Sequence, residues 1–437
     1  LAVPSSERLP RKTKLLYGSG DIGFALTDTT IGVLFAIFLT DVVRLDPALA
    51  ALAVFLGRSW DYLNDPLIGY ISDRTRSRWG RRRPFLLFGF IPFAIAFAML
   101  WWTPPTQVPA LLVAYYTLAY IFYEFAATLV YMPYFALTPE LTLDYDERTS
   151  LTSYRMSFSI VGSMTAFIVP LAIIGSMIPE NASRVFSVGL LFGLIAALPL
   201  LLVFFGTRER KEFQEQEAPR FLDSIKAAGR NRPFIFAAGV FFFTWAGLEL
   251  VQGVLLYYLK YRMNRESESE IIAGCVFIAA LLTIPFWNWL SKHWDKRKAY
   301  ILGMVFLCAV LAVMGLINSS QELPVLLLLA VLAGIGIGCV HVLPWSMIPD
   351  AIEWDQLHTG KRHEGMFYSL VTLFRKIASS LTLPIILLML KWSGFDSSLE
   401  VQPVAAINAI RGLTGLGPSI FLLLGILFAL LYPLSRE

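Results

Sequence analysis

Charge is scarce in this sequence. Charged residues make up 16% of the 437 positions, where an ordinary soluble domain carries about 25%. A water-exposed exterior is hard to build from so little charge. Cysteine is rarer still. Cys275, Cys308 and Cys339 all lie inside apolar runs, with no metal-ligand spacing and no basis for a disulfide framework, and they read as small core residues. Enzyme signatures are missing as well: no G-x-S-x-G, H-E-x-x-H or C-x-x-C, and no phosphate-binding G-x-x-x-x-G-K-[ST]. The last absence removes ATP hydrolysis as a power source. Gly18-Ser-Gly20-Asp-Ile-Gly23 matches G-x-G-x-x-G by letter, but it follows no strand and opens an apolar run, so helix packing or bending is its expected use. A cleavable leader is not expected: Leu1 to Lys14 is polar and basic, and the first apolar run is long enough to be a full span.

What the chain does have is apolar length. Hydrophobic residues make up 56% of it, and the mean hydropathy is +0.62. Apolar runs at roughly 16–43, 49–72, 84–103, 109–137, 152–178, 184–206, 233–260, 270–290, 299–317, 324–348, 365–392 and 411–433 each reach the ~20 residues that span a bilayer as a helix. They lack the alternation of barrel strands. If the N-terminus is cytoplasmic, 26 of the 36 Lys and Arg residues fall on that side and 7 on the other. By the positive-inside rule both termini are then cytoplasmic. The charged stretch 207–232 separates two sets of six runs, predicting bundles at 1–206 and 233–437 joined by a cytoplasmic linker. Pro133 to Glu140 at the end of run four has a counterpart in Pro344 to Asp350 at the end of run ten. Duplicated halves of this kind are a recurring transporter plan.

Ionisable groups inside a bilayer are costly and need a reason. The densest set is Arg58-Ser-Trp-Asp61-Tyr-Leu-Asn64-Asp65-Pro66 in the second run. Asp61 and Asp65, spaced i, i+4, share a helix face about 6 Å apart, with Asn64 beside them. Two carboxylates so close repel unless a cation sits between them or one is protonated. Hard oxygen ligands suit Na⁺, Li⁺ or H⁺, and Thr128 in run four lies at a depth where its hydroxyl completes the set. The alternative is a structural ion-pair cluster in which Arg58 and other cations neutralise the acids. Asp28 and Lys376, about twelve residues into their spans, fall in the same layer. Lys376 reads either as a mobile countercharge or as a fixed bridge. Glu124, on the same helix face as Tyr131, reads either as cavity lining or as the partner of a nearby cation. Asp21 is expected at the interface. The basic loop Ser72 to Pro84, with Asp73, Arg74 and Arg81, is expected to pair with acids after run four, among them Glu140 and Glu147. Asp350 and its neighbours form the matching latch in the second half.

These residues resemble the melibiose-permease-like glycoside–pentoside–hexuronide:cation symporters of the major facilitator superfamily. The pieces that carry the resemblance are Tyr17 to Gly23, Thr40 to Val43, Trp60 to Pro66, Ser72 to Pro84, Asp146-Glu-Arg148 and Arg155, with Trp345 and Lys376 in the second half. The resemblance implies an all-α membrane fold of twelve helices in two pseudo-symmetric bundles. It places Asp61, Asn64, Asp65 and Thr128 on the Na⁺/Li⁺/H⁺ site. It places Arg155, Trp345 and Lys376 at the sugar pocket and its coupling. Two positions depart: the family's sugar-binding carboxylates fall on Ala25 and Tyr131, and a tryptophan position falls on Phe135. Asp28 is then a substitute carboxylate, while Tyr131, Phe135 and Trp345 supply ring planes. The expectation is a secondary active transporter, not an enzyme. It symports a sugar or glycoside with a monovalent cation by alternating access, as a monomer in the cell membrane, with no other cofactor and no nucleic acid. A lysolipid or other amphiphile is the alternative solute, and a receptor without flux is the remaining rival.

Overall fold

A computed structural model describes residues 9–142, 145–209, 229, 231–318, 322–359, 364–399 and 401–434. Among these the chain is entirely helical, with no strand. The side chains of Asp73, Glu140 and Arg148 lie outside the described residues.

Among the described residues ten helices are long and apolar enough to cross a membrane. The first two apolar runs fall outside that group, because each is divided into shorter helices; a count of twelve is compatible with this. The first run is α1 (Arg11–Gly18), α2 (Gly20–Thr30) and two π-turns, Ile31–Phe35 and Phe38–Val42. The Thr27 and Thr30 hydroxyls donate back to the carbonyls of Gly23 and Leu26, at 2.9 and 2.6 Å. Such back-bonding loosens and bends a helix. The second run splits at Trp60 into α3 (Pro47–Ser59) and α4 (Asp61–Arg74).

Contacts divide the chain into two compact units. The first comprises Leu1–Ile31 and Phe38–Glu217. Besides α1 to α4 it holds α5 (Arg83–Leu100), α6 (Pro109–Leu141), α7 (Tyr145–Ile174) and α8 (Ala182–Gly206). The second comprises Gly32–Ile37 and Ala218–Glu437. Its helices are α9 (Arg232–Tyr257), α10 (Ser269–His293), α11 (Lys296–Leu316), α12 (Leu323–Thr359), α13 (Glu364–Trp392), α14 (Val404–Thr414) and α15 (Leu416–Leu431). The sequence places the end of the tenth span near residue 348. Helix α12 instead runs on through Pro344 and Pro349 to Thr359, so Asp350 sits on a helix and not in a loop.

Small residues bring the helices together, as expected where lipid removes the hydrophobic drive between them. Gly193 of α8 lies against the carbonyl of Ala94 on α5, where a Cβ would come within 2.6 Å. Gly23 sits as tightly on the Ala196 carbonyl, and Gly20 on the Tyr134 ring. The letter pattern at residues 18–23 therefore works as a packing surface. In the second unit Gly303 packs on buried Cys339.

Candidate functional site

Asp61 is the first residue of α4, directly after Trp60, whose backbone stays helical at φ −60° and ψ −29°. Asp61 and Asn64 are buried, 6% and 2% exposed. One turn along, Asp65 is half-buried. Thr128, from the middle of α6, closes the group: its hydroxyl lies 3.0 Å from Asp61 Oδ1 and 3.5 Å from Asp65 Oδ1. Asn64 Nδ2 donates to the Glu124 carbonyl at 3.1 Å. That bond fixes the amide and leaves Asn64 Oδ1 buried with no hydrogen-bond partner. A buried acceptor without a donor costs about 1–3 kcal/mol, a cost that a bound cation or a water would remove. Among the described residues no group of three or more His, Cys, Asp or Glu gathers. The donor set here is two carboxylates with neutral oxygens, the hard ligands that suit a cation such as Na⁺.

Asp28 and Asp21 in the first unit have cation partners. Asp28 lies 3.7 Å from Arg58. Asp21, expected near one end of its span, is 2% exposed. Arg155 Nε donates to its Oδ2 at 3.1 Å, and Arg155 Nη2 approaches Oδ1 at 3.5 Å. The same guanidinium stacks on Phe135, 4.6 Å from the ring centroid. Phe24 meets Tyr131 and Phe135 edge-on, at 5.1 and 5.4 Å. Phe93 meets Tyr131 at 5.3 Å. The Tyr131 hydroxyl is buried among these rings with no hydrogen-bond partner. In the second unit Trp345 meets Phe241 at 4.7 Å, and Lys376 is half-buried on α13.

The charged helix ends make contacts that the sequence reading did not name. Glu147 pairs with Lys14 at 2.9 Å and accepts from the Leu9 amide. At the basic loop one acceptor is Glu209, a residue the sequence reading left unassigned. Its carboxylate takes the backbone N–H groups of Arg81, Arg82 and Arg83, at 2.5, 2.8 and 2.9 Å. It thereby caps the amino end of α5. Gly80, at φ +105°, leaves room for it: an added Cβ would meet the carboxylate at 2.6 Å. Arg83 Nη2 donates to the Phe204 carbonyl at 2.6 Å. Arg74 is exposed. In the second unit Lys296, at the start of α11, holds both oxygens of Asp350, at 2.6 and 2.7 Å. No sequence signal marks Glu209 or the Asp21–Arg155 pair, since both contacts join residues more than 120 positions apart.

The helical architecture and the buried ionisable groups define a multi-pass secondary transporter. The chain belongs to the family described as MFS/sugar transport protein, which matches residues 16–436. It is a transporter of the major facilitator superfamily and not an enzyme. An uncharacterized symporter of Synechocystis sp. is 32% identical, covering 99% of this chain and 96% of that protein. The mouse sodium-dependent lysophosphatidylcholine symporter 1 is 28% identical, over 97% of this chain and 86% of that one. Among solved structures, the nucleoside transporter NupG superposes with a TM-score of 0.68 at 14% identity, covering 97% of this chain and 100% of that one, a likeness of fold.

Proposed function

We propose that this chain is a cation-coupled symporter whose ion binds Asp61, Asn64, Asp65 and Thr128. The observation that carries the reading is the buried Asn64 Oδ1, without a partner beside two acids that share one hydroxyl. Symporters dominate its relatives, and the mouse protein is sodium-dependent by name. Coupling follows if the filled ion site and the solute each favour the same state, because a ligand shifts an equilibrium only through differential affinity. Asp73, Arg74, Arg81, Glu140, Arg148 and Asp350 are proposed as the charged ends that change partners during alternating access. Both termini are placed in the cytoplasm by the Lys and Arg bias.

For the solute, an amphiphile is favoured by the local chemistry. Asp21 and Asp28 are paired with arginines rather than offered to sugar hydroxyls. Phe24, Tyr131 and Phe135 form an apolar face. Relatives that transport lysophosphatidylcholine point the same way. A sugar or glycoside is the second reading, supported by the description of the family. Proteoliposome uptake of glycosides and of lysolipids, with and without an inward Na⁺ gradient, tests both. Na⁺-stimulated uptake that is lost in Asp61→Asn is expected. Uptake indifferent to Na⁺, Li⁺ and pH sinks the symport reading, and the probe that is taken up decides between the solutes.

A further inference from the structure

The turn after the second apolar run of each unit is basic and aromatic, and the ion site uses neither turn. In the first unit, residues 73–83 carry six arginines and one acid. Ser77 shapes this turn: its hydroxyl donates to the Gly80 carbonyl at 2.6 Å and accepts from the Trp79 amide at 3.1 Å. The amides of Arg81 to Arg83 are taken by Glu209, so an outside anion would meet side chains. Arg76 and Arg78 are exposed. The Arg78 guanidinium lies over the Trp79 ring, 4.2 Å from its centroid. Trp79 in turn meets Phe88 of α5 edge-on at 5.9 Å and Phe204 of α8 at 6.3 Å. Phe88 is 64% exposed, and Phe205, next to Phe204, is 74% exposed. On spans this apolar such rings face lipid. Charge thus passes straight into the lipid-facing surface, with Trp79 at the join.

The second unit repeats the arrangement with different residues. Phe286, Trp289 and His293 form a column along the end of α10, with rings 6.3 and 4.6 Å apart. Trp289 and the following Trp294 are 54% and 58% exposed. Lys298, in the first turn of α11, is exposed. A basic turn alone is what topology demands. An indole at the junction of bases and lipid-facing rings, built twice from unlike sequences, is not. Indoles settle at the headgroup level of a bilayer. A guanidinium stacked on an indole keeps its in-plane N–H groups for a two-oxygen acceptor such as a phosphate. We propose that each turn binds the headgroup of an anionic phospholipid from the surrounding leaflet. In the first unit Arg76 and Arg78 take the phosphate, and an acyl chain lies along Phe88. In the second Lys298 takes it, beside Trp294. This lipid is a resident of the membrane and not the transported solute, so the proposal does not depend on the symport reading.

The test is native mass spectrometry of the purified full-length protein in detergent. It is titrated with dioleoylphosphatidylglycerol, with dioleoylphosphatidylcholine, or with glycerol 3-phosphate as the soluble headgroup fragment. Two phosphatidylglycerol molecules should be retained at concentrations about tenfold or more below those needed for phosphatidylcholine, the worth of two bases near an acidic lipid. Glycerol 3-phosphate should not be retained. Each base contributes about fivefold. Arg78→Gln should therefore weaken one of the two lipids about fivefold, and Arg76→Gln with Arg78→Gln about 25-fold, leaving the other in place. Lys298→Gln should act on the second lipid alone. Arg184→Gln removes one exposed charge at the start of α8 and should change neither. If the double variant does not elute as a single folded species, Arg78→Gln and Lys298→Gln decide. Equal retention of the two phospholipids overturns the proposal. So does an Arg184→Gln effect as large as that of Arg78→Gln, which would mean attraction to net charge alone. Retention of glycerol 3-phosphate as tight as that of the lipid would overturn the membrane as the source.

Discussion

Asn64 offers the sharpest test of the ion site. Leucine has the same branched four-atom side chain without the acceptor. In Asn64→Leu the bond to the Glu124 carbonyl goes, but so does the partnerless Oδ1. The two changes oppose each other, and ion-free stability should move by no more than about 1 kcal/mol. Ion binding should suffer far more. The buried acceptor costs about 1–3 kcal/mol until a cation reaches it, and at 1.4 kcal/mol per factor of ten the Na⁺ dissociation constant should rise about tenfold to a hundredfold. At an Na⁺ concentration about 100 times the original constant, binding contributes about 2.7 kcal/mol of stability. A thirtyfold weaker site would contribute about 0.9 kcal/mol under the same conditions. The readout is the melting temperature of purified protein in NaCl against choline chloride: the Na⁺-linked rise should shrink to about a third. A Leu variant that keeps the full rise would refute the assignment, and so would one whose ion-free form collapses.

Three further outcomes follow from contacts away from the ion site. Asp21→Ala leaves Arg155 buried without its carboxylate, at about 3–5 kcal/mol; folded yield should drop sharply, while Asp21→Asn combined with Arg155→Gln should be milder. Glu209→Ala deprives three amides at the start of α5 of their acceptor, so trypsin should cut the arginine-rich loop faster, and Gly80→Ala should act in the same direction. Lys296→Met should lower the melting temperature only slightly, because the Lys296 and Asp350 side chains are 36% and 34% exposed and such pairs contribute about 1 kcal/mol or less.

Much of the fold is written in the length of the apolar runs, because each backbone polar group in lipid must be satisfied within its own helix. The paired acids were legible for a similar reason: i, i+4 spacing fixes Asp61 and Asp65 on one face whatever surrounds them. The contact of Thr128 with both acids agrees with its expected depth in α6. Asp21 shows where such reading stops. A charge one turn from a span's end reads as interfacial until the helix bearing Arg155 is brought beside it, and that contact spans 134 positions. Glu209 belongs to a charged stretch with nothing to set it apart from its neighbours. Its role appears only when the α5 amino end folds onto it. The interruptions at Ile31–Phe35 and at Trp60 were likewise hidden, because the apolar pattern continues through them.

A hydroxyl carries one hydrogen. Set between Asp61 and Asp65, Thr128 can serve only one of the two acids at a time. With both acids ionised the pair bears two negative charges, and a single univalent ion leaves one behind. The full transmembrane field acts on each elementary charge with about 2.3 kcal/mol per 100 mV. On the proposed ion assignment, filling the site changes the charge that the field acts on, so the voltage dependence of transport should itself shift with Na⁺ concentration.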